Sequence, residues 1–284
     1  MREGAETYLH PNIPALISLN QTKNTEVLVW SEQGFGDTLQ FSRYIKLLIN
    51  LGAKVVLQVQ EALVSLFKGC FECDVISTKE FVSAHYQIPM GSLPLLFETT
   101  VETIPSDIPY IKVNQKKVGE WRGKLGIEHD KLNIGIACSG NIKYDLEHGN
   151  TRPIPLSFFK ELGKLSNLFL IQKELRQRDQ ELLSAHPEYN NVGALIQSFE
   201  DSAAVVENMD LIITIDTSLA HLAGALGKPA FVLLPWVSDW RWFLNQAYSP
   251  WYPSIQLIRQ TKAGEWDDVI STLKHHIESS INPD

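Results

Sequence analysis

Short runs of aliphatic and β-branched residues alternate with amphipathic stretches along most of this chain, the pattern of strands each followed by a helix. The run EVLVWS at 26–31 predicts a first strand. It passes through GFGD into a helix beginning at Asp37, on which Leu39, Tyr44, Ile45, Leu48 and Ile49 can face a core. A second strand is predicted at 53–60, a short helix at 61–67, and further short elements over 74–97 with a strand near 85–90. Residues 1–25 read as a loose polar leader, and 98–112, with two prolines, as a linker. A helix at 115–125 precedes a second series: strand 132–138, helix near 155–165, strand 168–172, helix 176–184, strand 192–195 and helix 200–208. The last predicted helix, 265–280, carries Trp266, Val269, Ile270, Leu273 and Ile277 on one face. Such alternation implies parallel sheets joined by right-handed crossovers.

The most informative stretch is 211–234, LIITIDTSLAHLAGALGKPAFVLL. It reads as strand, tight turn, helix, strand. Asp216, Thr217 and Ser218 supply helix-start chemistry, because their short side chains accept hydrogen bonds from unpaired N–H groups. Leu219, Leu222, Ala223 and Leu226 then form one apolar stripe, with His221 off it, and Gly227 ends the helix. A helix opening from a buried parallel strand aims free N–H groups and its positive dipole end outward. The turn is therefore expected to hold an anion, a phosphate or diphosphate.

Composition narrows the setting. A chain of 284 residues fits two domains, and an apolar fraction of 44% with 20% charged residues is that of a globular protein with a real core. A net charge of −8 argues against nucleic-acid or anionic-membrane binding, so an anionic ligand must be held by local cations and backbone N–H groups. No apolar run reaches the roughly 20 residues of a membrane span, and three cysteines make no disulfide framework. A cytoplasmic location is expected.

Candidate chemistry gathers where strands end. Gly34 and Gly36 allow close backbone approach or positive φ, and Asp37 sits where a capping carboxylate would. The dinucleotide fingerprint is incomplete, lacking its third glycine. The polar segment 139–155, SGNIKYDLEHGNTRPIP, brings Lys143 and Arg152, side chains suited to phosphate oxygens or to solvent. Lys173 ends another predicted strand. Residues 235–253 hold Trp240 among several aromatics that can stack on a sugar or pack a hinge, and Asp239 and Arg241 fit a core poorly. Cys70 and Cys73 have no further ligands at zinc spacing and read as core thiols.

GFGDTLQFSRY near the start and IDTSLAHLAGALGKP near the end together resemble glycosyltransferase family 9, the group containing the heptosyltransferases. EQGFGDTLQFSRYI, the SGN loop and the DWRWF…SPWYP run also look like the bacterial glycosyltransferase-like domains associated with tetratricopeptide repeats. The resemblance covers roughly 26–272. It implies an α/β chain of GT-B architecture, two Rossmann-like domains whose parallel sheets face each other across a cleft. The expected halves are 1–112 on the acceptor side and 113–284 on the nucleotide-sugar side, with the last helix able to pack back on the first half. By motif, Asp37 matches the family's general base. Asp216, Thr217, Ser218 and His221 match its diphosphate-binding D-T-G-x-x-H, with Ser218 standing where the glycine is usual, and Arg152 falls near a family lysine.

The resemblance implies an inverting transfer from a nucleoside-diphosphate sugar to a glycan, lipid-linked or protein acceptor. Asp37 takes the acceptor proton, while Arg152, Lys143, Lys173 and the helix start steady the departing diphosphate. No metal or other cofactor is expected, and Asp239, Trp240 and Arg241 are placed on the acceptor or sugar side. The rivals are a nucleotide-sugar epimerase or hydrolase of the same fold, and a non-catalytic module that binds a sugar nucleotide or a protein.

Overall fold

The computed structural model describes residues 10–127, 131–147, 149–186 and 189–281. The chain divides between Thr103 and Ile104 into two compact units. That division lies ahead of the expected boundary at 112. The backbone N–H groups of Tyr110 and Ile111, beyond it, both reach the Ala225 carbonyl of the second unit.

The first unit is built on strands β1 (Glu26–Trp30), β2 (Lys54–Val59), β3 (Asp74–Ser77) and β4 (Tyr86–Pro89). All are parallel, in the order β3-β2-β1-β4. Helices α1 (Phe35–Phe41) and α2 (Ile45–Asn50) connect β1 to β2, α3 (Glu61–Phe67) connects β2 to β3, and α4 (Leu93–Leu96) follows β4. The single helix expected after Gly36 is split by a 3-10 turn at Ser42–Tyr44. There the Ser42 hydroxyl donates to the Leu39 carbonyl and Arg43 Nε to the Gln40 carbonyl, side-chain bonds that compete with the helical ladder. Part of the expected loose leader is ordered too: Leu16 N–H donates to Gln87 O and Gln87 N–H to Pro14 O, which lays this segment along β4.

The second unit follows α5 (Gln115–Leu125) with a sheet of β5 (Leu132–Ala137), β6 (Ser166–Leu170), β7 (Tyr189–Asn191), β8 (Leu211–Ile215), β9 (Ala230–Leu234) and β10 (Ile255–Arg259). Its order is β10-β9-β8-β5-β6-β7, every named pair parallel. Counted within the unit this is 3-2-1-4-5-6, the Rossmann order, which reverses direction between β5 and β8. Helices α6 (Ile142–Glu147), α7 (Gln177–Ala185), α8 (Phe199–Glu207), α9 (Ser218–Leu226) and α10 (Asp267–Ile281) complete it.

Four expectations change. The segment near 155–165 is a 3-10 run, Leu156–Lys164, rather than an α-helix. The edge strand lies at Tyr189–Asn191, because 193–195 is a 3-10 turn in which Gly193 is pressed on the backbone of Gln172; a Cβ there would overlap the Gln172 carbonyl oxygen. α6 forms within a stretch read as loop, and β10 from one with no predicted element. Helix α10 seats Val269, Leu273 and Ile277, with Trp266 just ahead of it, in the second unit's core beside Ile213, Phe231 and Leu233. Each such burial contributes roughly 1.5–3 kcal/mol, so packing rather than intrinsic propensity holds this helix.

Candidate active site

In an open parallel sheet, ligands bind beyond the carboxyl ends of the strands where the order reverses. In the second unit that point receives the segment after β5 and the turn after β8. A cavity of about 160 Å³ opens there, lined by Tyr144, Asp145, Thr151, Arg152, Asp216, Val237 and Asp239. The two elements meet closely: a Cβ on Gly140 would stand 3.4 Å from Thr217 Cγ2 and 3.5 Å from Arg152 Nη2. Glycine therefore keeps the approach to that guanidinium open.

Arg152 is held on three sides. Its Nε and Nη2 donate to Asp145 Oδ1 at 3.0 and 2.5 Å, and its Nη1 donates to the Asp216 carbonyl at 2.8 Å. The guanidinium also lies 4.6 Å from the centre of the Tyr144 ring. Asp145 is fully buried, and its other oxygen accepts from Arg176 Nη2 at 3.0 Å. A buried carboxylate is thus satisfied by two arginines, which is what makes its burial tolerable. The segment is folded to deliver this: Asp145 sits on α6, and the backbone returns through Gly149 and Asn150, both with positive φ, before Ile154 N–H donates to Cys138 O. On the neighbouring strand ends, Gln172 Oε1 accepts from Cys138 and Ser139 N–H at 2.6 and 3.0 Å.

Thr217 is the N-cap of α9, its hydroxyl oxygen accepting from Leu219 N–H at 3.3 Å and bonded to the Thr214 hydroxyl at 3.1 Å. Ser218 begins the helix proper. Asp216 keeps part of its surface exposed, yet burial pushes its carboxyl above the usual carboxylate range. The Trp242 indole, Arg152 and Arg241 pull the other way, and Asp239 adds to the rise. Helix α9 is buried on all sides from Leu219 to Leu226, so the single apolar stripe understates its burial. His221 consequently lies in the interior. It stacks on the Trp242 ring at 5.4 Å between centroids, and its Nδ1 shares a 2.9 Å hydrogen bond with the Tyr252 hydroxyl.

The aromatic segment after β9 divides by role. Trp242 and Tyr252 are buried, and Trp251 nearly so, while Trp240 is 58% exposed. Asp239 accepts from Arg241 N–H at 3.1 Å and from Arg241 Nη1 at 2.7 Å, and the guanidinium lies 5.0 Å from the Trp240 ring centre. Arg259 ties the loop down through the Ser238 hydroxyl and the carbonyls of Trp242 and Phe243. Phe243 has φ 52°, a strained value for a bulky residue, and this clamp holds it.

The structure thus brings Arg152, Asp216 and Asp239 onto one cavity with Thr217 beside them. Lys143 does not join them: its side chain is 85% exposed and lies 3.9 Å from Glu147 on the same helix. Lys173 is exposed after β6 and does not line the cavity. Tyr144, Asp145, Thr151 and Val237 were missed among the lining residues, as was Arg176 behind them. In sequence Tyr144, Asp145 and Thr151 sit in a polar stretch that looks like any solvated loop, and Arg176 opens a predicted helix.

In the first unit, Gly34 is extended with φ −73°, so its use is closeness rather than left-handed backbone. Its N–H donates to Asp37 Oδ2 at 3.0 Å, and a Cβ on it would lie 3.3 Å from the same oxygen. Gly36 lies inside α1. Asp37 is therefore a helix-capping carboxylate at the end of β1. Glu32 reaches across the same end of the sheet, its Oε1 accepting from Gly91 N–H at 2.9 Å. Burial raises its carboxyl above the ordinary value, against the bonds from the Gly91 and Met90 backbone.

Two Rossmann-like α/β units in one chain, the second with the full six-strand order, make this a protein of GT-B architecture. Its resemblance is to glycosyltransferase family 9 (heptosyltransferase), whose family model matches residues 173–242. That stretch holds Lys173, Asp216–His221 and Asp239–Arg241, whereas Asp37 and Arg152 lie outside it. Protein FlbA of Caulobacter vibrioides is 20% identical over 271 residues, covering 86% of this chain and 45% of FlbA. The chain thus spans less than half the length of this curated relative. Among solved structures, the E. coli ADP-heptose LPS heptosyltransferase II has a TM-score of 0.60 at 14% identity, covering 90% of this chain and all of the other. A family 9 glycosyltransferase from Veillonella parvula has a TM-score of 0.62 at 11% identity, covering 94% and 90%. E. coli heptosyltransferase WaaC with ADP has 0.57 at 13%, covering 89% and 99%. At such identities the likeness is one of fold.

Proposed function

We propose that this chain is a glycosyltransferase that moves a sugar from a nucleoside-diphosphate sugar to an acceptor hydroxyl. The observation that carries the reading is the Arg152 guanidinium fixed beside the start of α9, on a cavity at the strand-order reversal. A guanidinium fork and a helix N-terminus both favour phosphate oxygens, and the leaving group of a sugar nucleotide is a diphosphate. Like-charge repulsion from Asp216 is the obvious objection. Burial raises that carboxyl above the usual carboxylate range, and the Arg152 and Arg241 guanidinium groups nearby offset its charge when it is ionised.

In the proposed reaction Asp37 takes the proton of the acceptor hydroxyl as its oxygen attacks the anomeric carbon. The bond from that carbon to the diphosphate breaks, and its electron pair leaves with the phosphate. Arg152 and the α9 dipole offset the charge that develops there, with no metal required. A single displacement of this kind inverts the anomeric centre. Trp240, exposed and backed by Arg241, offers an apolar face for the sugar or acceptor. The acceptor belongs to the glycan, lipid-linked or protein class. E. coli heptosyltransferase WaaC, a structural neighbour, holds ADP in one structure and ADP-2-deoxy-2-fluoro heptose in another, which agrees with a nucleoside-diphosphate donor.

One observation favours a second reading, a non-catalytic module that binds sugar nucleotides: the Asp37 carboxylate has a full structural reason to exist as the α1 cap. Incubating the full chain with a panel of labelled nucleotide sugars, with and without acceptors, separates the two. Release of nucleoside diphosphate is expected. Tight donor binding with no turnover selects the binding module, and neither binding nor turnover sinks both.

A further inference from the structure

We propose that Asp145 is the positioning residue of the diphosphate site, aiming Arg152 at the ligand, and that Arg176 is the charge partner that offsets the Asp145 carboxylate. This rests on reading the cavity as a diphosphate site. A guanidinium has five N–H donors. Two of those on Arg152 point to Asp145 Oδ1 and one to the Asp216 carbonyl, which fixes the plane of the group and leaves two for a ligand. A free arginine would have to be ordered at the moment of binding; this one is ordered beforehand.

Charge bookkeeping explains the second arginine. Asp145 and Arg152 alone form a neutral pair, a poor lure for a multiply charged diphosphate. Arg176, bonded to the other oxygen of the same buried carboxylate, restores one net positive charge to the cluster. Across the cavity, Asp239 is matched by Arg241 at 2.7 Å and adds no net charge, while Asp216 on the same wall cancels the surplus when ionised, so that without Arg176 the site would be net negative. The two arginines also differ in what their geometry asks of them. Arg152 spans two acceptors with its fork, whereas Arg176 is recorded making one bond through Nη2, a task a lysine ammonium can perform.

The test is calorimetric titration of the full chain with inorganic pyrophosphate, which needs no knowledge of the base, repeated with ADP. Three variants are compared with the parent: Asp145→Asn, Arg152→Lys and Arg176→Lys. Loss of an oriented charge-assisted contact predicts roughly 10- to 100-fold weaker pyrophosphate binding for Asp145→Asn and for Arg152→Lys. Arg176→Lys is expected within about threefold of the parent. The sign for Asp145→Asn is decisive, because deleting a negative charge beside an anion would by itself tighten binding. Equal or tighter binding in Asp145→Asn overturns the positioning role, and so does an Arg176→Lys loss as large as that of Arg152→Lys. Should Asp145→Asn lose its near-ultraviolet dichroism, the two lysine variants decide alone. A parent chain that binds neither pyrophosphate nor ADP fails the diphosphate reading itself, a result distinct from either.

Discussion

At the scale of single residues, the two candidate carboxylates stand in opposite situations. Asp37 caps α1 through the Gly34 N–H, so its geometry is set before any acceptor arrives. As a base it should be replaceable by asparagine with little change in fold. Asp37→Asn is expected to lower transfer by roughly 10²–10⁴-fold while donor affinity stays unchanged; unaltered turnover would remove it from the mechanism. Asp216 is held above the ordinary carboxylate range by burial, so its ionised form weakens the fold. The sign follows from linkage: its destabilising contribution is absent below the unfolded carboxylate value and grows as pH rises through the raised folded value. Denaturant melts of Asp216→Asn should therefore show equal or greater stability than the parent at pH 7, with the gap closing as the pH falls toward 4. A parent that is the more stable at pH 7 would mean that the ionised carboxylate is stabilised in place.

At the scale of elements, α9 shows how packing fixes a site. Gly224 faces Tyr252 so closely that a Cβ would sit 2.3 Å from the ring, and Tyr252 in turn holds His221. Gly224→Ala is expected to destabilise the chain by about 1–3 kcal/mol through overpacking, read as a lower thermal midpoint. An unchanged midpoint would show that Tyr252 moves freely. Elements of this sort were the most legible in sequence. The strand and helix spanning 211–226 follow directly from the apolar run, the Thr217 cap and the Gly227 stop, because local chemistry and tertiary packing agree there. The missed elements are those where they do not. α6 has six residues and no apolar stripe, and its Asp145 is anchored by Arg152, 7 residues on, and by Arg176, 31 residues on. β10 is a short apolar run whose strand character depends on β9 beside it. His221 was placed correctly in sequence and wrongly in depth, since a helix buried on all sides has no exposed face to reserve for a ligand.

At the scale of the whole molecule, each sequence motif follows a strand beside the order reversal of its own sheet: GFGD after β1, next to β4, and DTS after β8, next to β5. The paired-unit architecture was readable from the repeating strand-helix rhythm, and the order of the second sheet adds what rhythm alone omits, the location of its reversal. That reversal explains why Arg152 lines the cavity and Lys143, nine residues earlier in the same segment, does not: one is turned onto the strand ends and the other into solvent. Among the described residues no helix is long and apolar enough to cross a membrane. If cationic side chains and the α9 dipole stabilise the leaving group, adding EDTA to a donor-turnover assay is expected to leave the rate unchanged, and a loss restored by a divalent cation would contradict that mechanism.

The central claim, that the cavity between the β5 and β8 segments holds the donor diphosphate, is tested most directly by determining crystal structures after soaking with a panel of nucleoside diphosphates. The account predicts phosphate oxygens within hydrogen-bonding distance of Arg152 and the first backbone N–H groups of α9. Diphosphate density elsewhere in the chain, with that cavity empty, would contradict it.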